Sequence, residues 1–256
     1  MSTSIHPVSL SRHQTLRWNG FSSYAFAAQD SVCPVVMSEM PAAAVSLPLA
    51  FITQGEAFLP VVVLGLRNNT NVFVGADGLW QEAYIPAQYR GYPFLIAPTD
   101  DGAEQLFCVN EGSQLVAPDG EHLFFDAAGE LNPELKRIFD FWVQVESSRQ
   151  QTQRIMSVLK THELLEPWEI TVQNEEASSY QVTGLYRINE TRLNSLPDDD
   201  FLSLRASGAL PMVYCQLFSM QHLEKIVQKS VQTSPAEQLP AELSDAEGEL
   251  NLEFLK

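Results

Sequence analysis

Ser219 and His222 stand three apart in a segment with helical spacing, where a hydroxyl and an imidazole can meet as nucleophile and base. No GxSxG elbow surrounds Ser219 and no strand feeds it. A helical serine that hydrogen-bonds the carbonyl one turn back is the favoured reading. Cys215 shares that helix face with His222, but seven residues put their backbones about 10 Å apart, too far for one zinc without a remote partner. The other histidines, His6, His13, His122 and His162, make no HxH or HExxH spacing, and no CxxC pair occurs. The acidic clusters Asp100-Asp101, Glu175-Glu176 and Asp198–Asp200 do not match a calcium loop and read as turn and cap residues. No glycine pattern suits a phosphate loop. The residues therefore imply no catalytic group, no metal and no cofactor.

The most distinctive stretch runs from Arg67 to Phe94. It gathers Trp80, Tyr84, Tyr89 and Tyr92 around Arg67 and Arg90 in a chain poor in charge. Arginines beside aromatics suit cation–π contacts and partner recognition, with the planar guanidinium meeting a carboxylate. The competing reading is an ordinary core that buries the same rings. On the first reading, Arg67, Trp80, Tyr84, Tyr89, Arg90 and Tyr92 bind a ligand or partner, with Ser219 and His222 as secondary candidates.

The elements that must position these residues change character along the chain. Residues 1–130 read as short strands and turns. Pro60–Leu66 is apolar and β-branched enough for a buried strand, with a hairpin turn near Asn68–Asn71 leading to Val72–Val74. Asp77-Gly78, Asp101-Gly102 and Asp119-Gly120 mark further turns. Tyr92–Ala97, Leu106–Val109, Leu115-Val116 and Leu123–Phe125 are further strand candidates, and Ser38–Val45 reads as a short helix capped by Ser38. Asn132-Pro133-Glu134 is a helix start signal. Apolar residues from Leu135 to Leu159 imply one long helix or a helix pair reaching about Leu165, although Glu146–Arg154 holds no large apolar residue. Trp168–Val172 and Tyr180–Ile188 read as strands. A helix opens at Pro197 and closes at Gly208, and a last helix starts at Pro211.

The fold class expected is α+β: a mainly antiparallel sheet over residues 20–130 that continues through 168–188, one long central helix and two C-terminal helices. Residues 1–231 form a single domain on this reading. Residues 232–256 read as a disordered acidic tail, with six acidic residues against Lys256.

The whole chain of 256 residues carries 32 acidic and 15 Lys+Arg residues, a net charge of -17. That sign disfavours phosphate backbones and anionic lipid, so nucleic acid is not an expected partner. No apolar run approaches the roughly 20 residues of a membrane span, and no signal peptide is visible, which points to the cytoplasm. Cys33, Cys108 and Cys215 are odd in number and widely spaced, and are expected as buried inert thiols.

His13-Gln-Thr-Leu-Arg17, Leu64-Gly-Leu-Arg67, Gly78-Leu-Trp80, Tyr84-Ile-Pro-Ala-Gln-Tyr-Arg90 and Tyr92-Pro-Phe94 occur in order. Leu196-Pro197, Leu204-Arg205, Gly208-Ala-Leu210 and Ser219-Met220 follow. This series resembles the bacterial SapC-like family, over roughly residues 6–228. The resemblance implies an association with surface-layer loci and with genes for TonB-dependent receptors, flavin-dependent halogenase-like proteins and cupin-like proteins. It supplies no catalytic residue and does not extend to the peptide-transporter permease of similar name. The function expected is a non-catalytic accessory or interaction protein of envelope or nutrient-uptake loci. It would recognise a protein partner or small ligand through the Arg67–Phe94 segment. The alternative is a cytosolic small-molecule enzyme, or a partner subunit of a redox enzyme such as a flavin-dependent halogenase. A structural surface-layer component ranks last, because neither an export signal nor a calcium-binding region is visible.

Overall fold

Helices and antiparallel strands are both plentiful, so the α+β class holds. The computed structural model describes residues 4–99, 104–173 and 179–232. The turn expected at Asp101-Gly102, the Glu175-Glu176 cluster and the tail from residue 233 lie outside the described residues. The described residues divide into two compact units, one of those up to 22 with those in 87–149, the other of 23–86 with those from 150 to 232. Among the described residues, the antiparallel strands expected as one sheet pair as four sheets, two in each unit.

In the first unit, a hairpin pairs Phe94–Pro98 with Gln105–Asn110, in register from Phe94↔Val109 to Pro98↔Gln105. The strand Ile5–Pro7 adds to its edge, with Ile5 opposite Asn110. A smaller sheet places Arg17-Trp18 between Val116-Ala117 and His122-Leu123. Asn132 caps the long helix Pro133–Thr161 as its sequence requires, its side-chain oxygen accepting the Glu134 N–H at 3.1 Å. Within this unit the helix presents Leu135 and Trp142 to a core of Trp18, Phe94, Val109 and Phe124. Gly91 lies so close to the Trp142 indole that a Cβ there would sit 2.5 Å from its ring atoms.

In the second unit, a five-stranded antiparallel sheet runs in the order Leu165–Pro167, Tyr186–Ile188, Leu49–Gln54, Ala57–Val63, Val32–Pro34. Leu49, Ala50, Phe51, Ile52, Val61, Val62 and Val63 are all fully buried. That continuous burial explains an apolar run without alternation. The partner of Ala57–Val63 is the preceding strand, turned at Gly55 with φ 59°, not the expected return through Asn68–Asn71. Val72–Val74 forms no strand, and Val74 makes only an isolated bridge to Trp80.

Three further expectations are corrected. The short helix is Met40–Ala43, and Glu39 rather than Ser38 occupies its N-cap. The Tyr180–Ile188 strand divides at Gly184, whose φ of 85° turns the chain between Ser179–Val182 and Tyr186–Ile188. The last helix is interrupted: Leu210–Ser219 gives way to a 3₁₀ turn at Met220–His222 before Leu223–Gln232 resumes. The Ser219 hydroxyl donates to the Gln216 carbonyl at 2.7 Å at the point of change.

The long helix is continuous, and its middle is not solvated all round. Ser148 and Thr152 are buried there, and Thr152 Oγ1 accepts the Met37 N–H at 2.8 Å. Asp198–Ser207 starts on three aspartates and ends at Gly208 with φ 75°, as its sequence predicts. No helix among the described residues is long and apolar enough to cross a membrane.

Candidate functional site: a braced loop and two arginines

Between Val63 and Ala87 the chain forms neither helix nor strand. Irregular connections longer than about 12–15 residues are uncommon in compact proteins and are usually functional. This one is held along its whole length. Buried Asn71 donates from Nδ2 to the Ala27 carbonyl at 2.9 Å and accepts the Phe73 N–H at 3.0 Å. Gly65 passes so close to Thr70 that an added Cβ would fall on the Thr70 carbonyl oxygen. The Asp77 side chain accepts the Leu79 N–H at 3.0 Å, closing a turn that Gly78 permits with φ 77°. The Trp80 indole donates to the Tyr84 carbonyl at 2.9 Å, with Tyr24 and Phe73 rings about it. The Tyr84 hydroxyl donates to Glu39 at 2.7 Å. Lys225 reaches Glu82 at 2.9 Å.

Glu39 is a buried carboxylate that the sequence reading passes over. Its other oxygen accepts the Val36 N–H at 3.1 Å, so both oxygens are held. A single glutamate in the apolar run Val35–Val45 was the available signal. With its ring anchored there, Tyr84 acts as a brace of the loop. The loop turns several residues outward, among them Arg67, with its guanidinium 5.4 Å from the Tyr180 ring centroid, Asn68, Asp77, Gln81 and Leu79, which is 53% exposed.

The six aromatic and arginine candidates divide between the units: Arg67, Trp80 and Tyr84 in the second, Tyr89, Arg90 and Tyr92 in the first. Tyr89 is buried at 3% exposure. Arg90 is exposed, its guanidinium 5.0 Å from the Phe141 ring centroid. Tyr92 is half-buried with its ring near Phe21, and burial pushes its phenol above the ordinary value.

Ser219 and His222 belong to the second unit and face different partners. Ser219 is fully buried; its hydroxyl accepts the Leu49 N–H at 2.9 Å while donating to Gln216. His222 donates Nε2–H to the Ala44 carbonyl at 3.1 Å, since a carbonyl can only accept. A serine enclosed in this way is not placed to attack a substrate. Gln216, beside it, is fully buried; it accepts the Ile188 N–H at 3.0 Å and donates to the Leu49 carbonyl at 3.2 Å.

The first unit holds a polar cluster that sequence spacing does not reveal. His13 is fully buried against Phe124, and its Nδ1 lies 3.2 Å from both the N and O of Ser9. Its Nε2 lies 3.3 Å from Glu111, which also pairs with Arg12. Burial lowers the His13 pKa, and the Arg12 hydrogen bonds hold the Glu111 carboxyl below its ordinary value. Arg12 and His13 lie almost a hundred residues from Glu111, so no local pattern joins them. Burial raises the Cys108 and Cys215 thiols, which suits inert cysteines, and none of the three cysteines is in a disulfide. No cluster of three or more His, Cys, Asp or Glu able to hold a metal occurs among the described residues.

In comparison with known families, the model described as SapC matches residues 8–226. No curated protein and no solved structure matches the chain.

Proposed function

We infer, from the premise that this chain belongs to the SapC family, a non-catalytic accessory protein that recognises a partner at envelope or nutrient-uptake machinery. The single observation that carries this reading is the braced loop 64–86. It is too long and too irregular to be a mere connection, yet it is fixed by buried Asn71, Tyr84 on Glu39, and Lys225 on Glu82. A preordered loop loses little conformational entropy on binding, which favours recognition. Leu79 offers an apolar contact and Arg67 a guanidinium suited to a carboxylate. The partner chemistry that fits is a protein surface with a carboxylate for Arg67 and an apolar side chain for Leu79.

The test is a native pull-down with the wild-type chain and with the double variant Leu79→Ser/Arg67→Ser, made in the source cell. Both positions are exposed, so the variant should melt within about 2 °C of wild type. The reading expects the variant to lose the partner captured by wild type. Retention of every partner at wild-type yield refutes it. The pair Tyr84→Ala/Arg90→Ala is unsuited to this test, because removing the Tyr84 hydroxyl strips a donor from buried Glu39.

A further inference from the structure

The helix Leu210–Ser219 is apolar on two sides. Met212, Val213, Gln216 and Ser219 face inward and are buried. On the outer side Tyr214 is 41% exposed and Phe218 69% exposed, their rings stacked with centroids 6.2 Å apart and planes 23° apart. A helix that carries apolar side chains on its exposed side as well as its buried one has the composition of one covered on both faces, and adjoining exposed aromatic rings mark a contact surface.

We propose that the ridge of Tyr214 and Phe218 is the docking site of this chain's own segment Leu250–Leu255. Reach permits it. From Phe218 to Gln232 the chain is helical apart from the 3₁₀ turn, which limits the separation to about 23 Å. The stretch from Gln232 to Leu250 spans up to roughly 60 Å when extended.

Pattern and spacing also fit. Leu250, Leu252 and Phe254 alternate with Asn251 and Glu253, so an extended segment turns three apolar side chains to one face. Alternate residues of an extended chain stand about 6.7 Å apart, close to the 6.2 Å between the stacked rings. Tethering supplies a high effective concentration, so a weak intrinsic contact suffices. A partner that carries the same alternating apolar pattern then has to displace the segment before it can use the ridge.

The experiment uses the full chain with p-benzoylphenylalanine placed at Phe218, irradiated and mapped by mass spectrometry. The expected product is an intramolecular crosslink to residues 250–256, in monomer-sized protein, at a yield independent of concentration. The triple variant Leu250→Ser/Leu252→Ser/Phe254→Ser removes it. In parallel, hydrogen exchange of amides 250–255 in the unmodified chain should be slowed about tenfold, and Phe218→Ser should abolish that protection. A crosslink to a second copy that grows with concentration assigns the ridge to self-association and overturns the proposal. So does a crosslink that the triple variant leaves intact, or exchange unchanged by Phe218→Ser.

Discussion

Replacing Gln216 by alanine tests whether a side chain substitutes for part of the central sheet. The strand Tyr186–Ile188 pairs with Leu49–Gln54 at Tyr186↔Phe51 alone. Continued by two residues, that antiparallel register would bring Ile188 opposite Leu49. At that position the Gln216 amide stands between the strands, accepting from the Ile188 N–H and donating to the Leu49 carbonyl. Removing it strands a buried donor and weakens a buried acceptor, each worth about 1–3 kcal/mol, and leaves a void. A total near 3 kcal/mol corresponds to a fall in Tm of roughly 6–12 °C for a chain of this size. Urea and thermal unfolding of Gln216→Ala measure this, with Gln228→Ala on an exposed helix face as the control expected within about 0.5 kcal/mol of wild type. Gln216→Leu keeps the volume but not the hydrogen bonds, so it should remain destabilised. A Gln216→Leu variant as stable as wild type would refute the ladder role.

Three further outcomes are expected. His13 has its pKa lowered by burial, so the fold favours its neutral form; its contribution is present above the ordinary value of about 6.5 and is lost as pH falls from there through the lowered folded value. The urea midpoint should therefore fall between pH 7 and pH 5, and His13→Gln should flatten that fall; the charged groups facing His13 are Glu111 and Arg12. Asn189→Ala removes the cap that accepts the Arg192 N–H at 2.8 Å, and chemical denaturation should register a loss of about 1 kcal/mol. Gly91→Ala drives a Cβ into the Trp142 indole, and tryptophan fluorescence unfolding should show about 1–3 kcal/mol of destabilisation.

Local chemistry was legible where it was self-contained. Asn132-Pro133 starts the long helix, and Asp198 and Gly208 bound the helix Asp198–Ser207, because caps and dipoles act within one turn. Pairing was less legible. Leu49–Gln54 has the same apolar continuity as its partner, but Pro48 and the alanines before it hid it, and Asn68-Asn69 offered a more familiar turn. The Arg67–Phe94 segment was visible as a composition, yet sequence could not say that Tyr84 spends its hydroxyl on Glu39 or that Tyr89 is enclosed. Burial of one member of an aromatic cluster depends on residues far away in the chain. The Arg12–His13–Glu111 cluster was out of reach for the same reason.

The edge strand Ile5–Pro7 has a consequence for synthesis. Its partner, Gln105–Asn110, leaves the ribosome about a hundred residues later. At about 5–20 residues per second, the nascent strand waits roughly 5–20 s without its ladder. During that interval its backbone donors and acceptors are open to any extended segment nearby. Pro7 and the short length of the strand limit this opportunity, since a proline offers no N–H to a stray partner. A silent codon change that slows translation between residues 20 and 105 should therefore lengthen the vulnerable period and lower the soluble yield, although the finished polypeptide is identical.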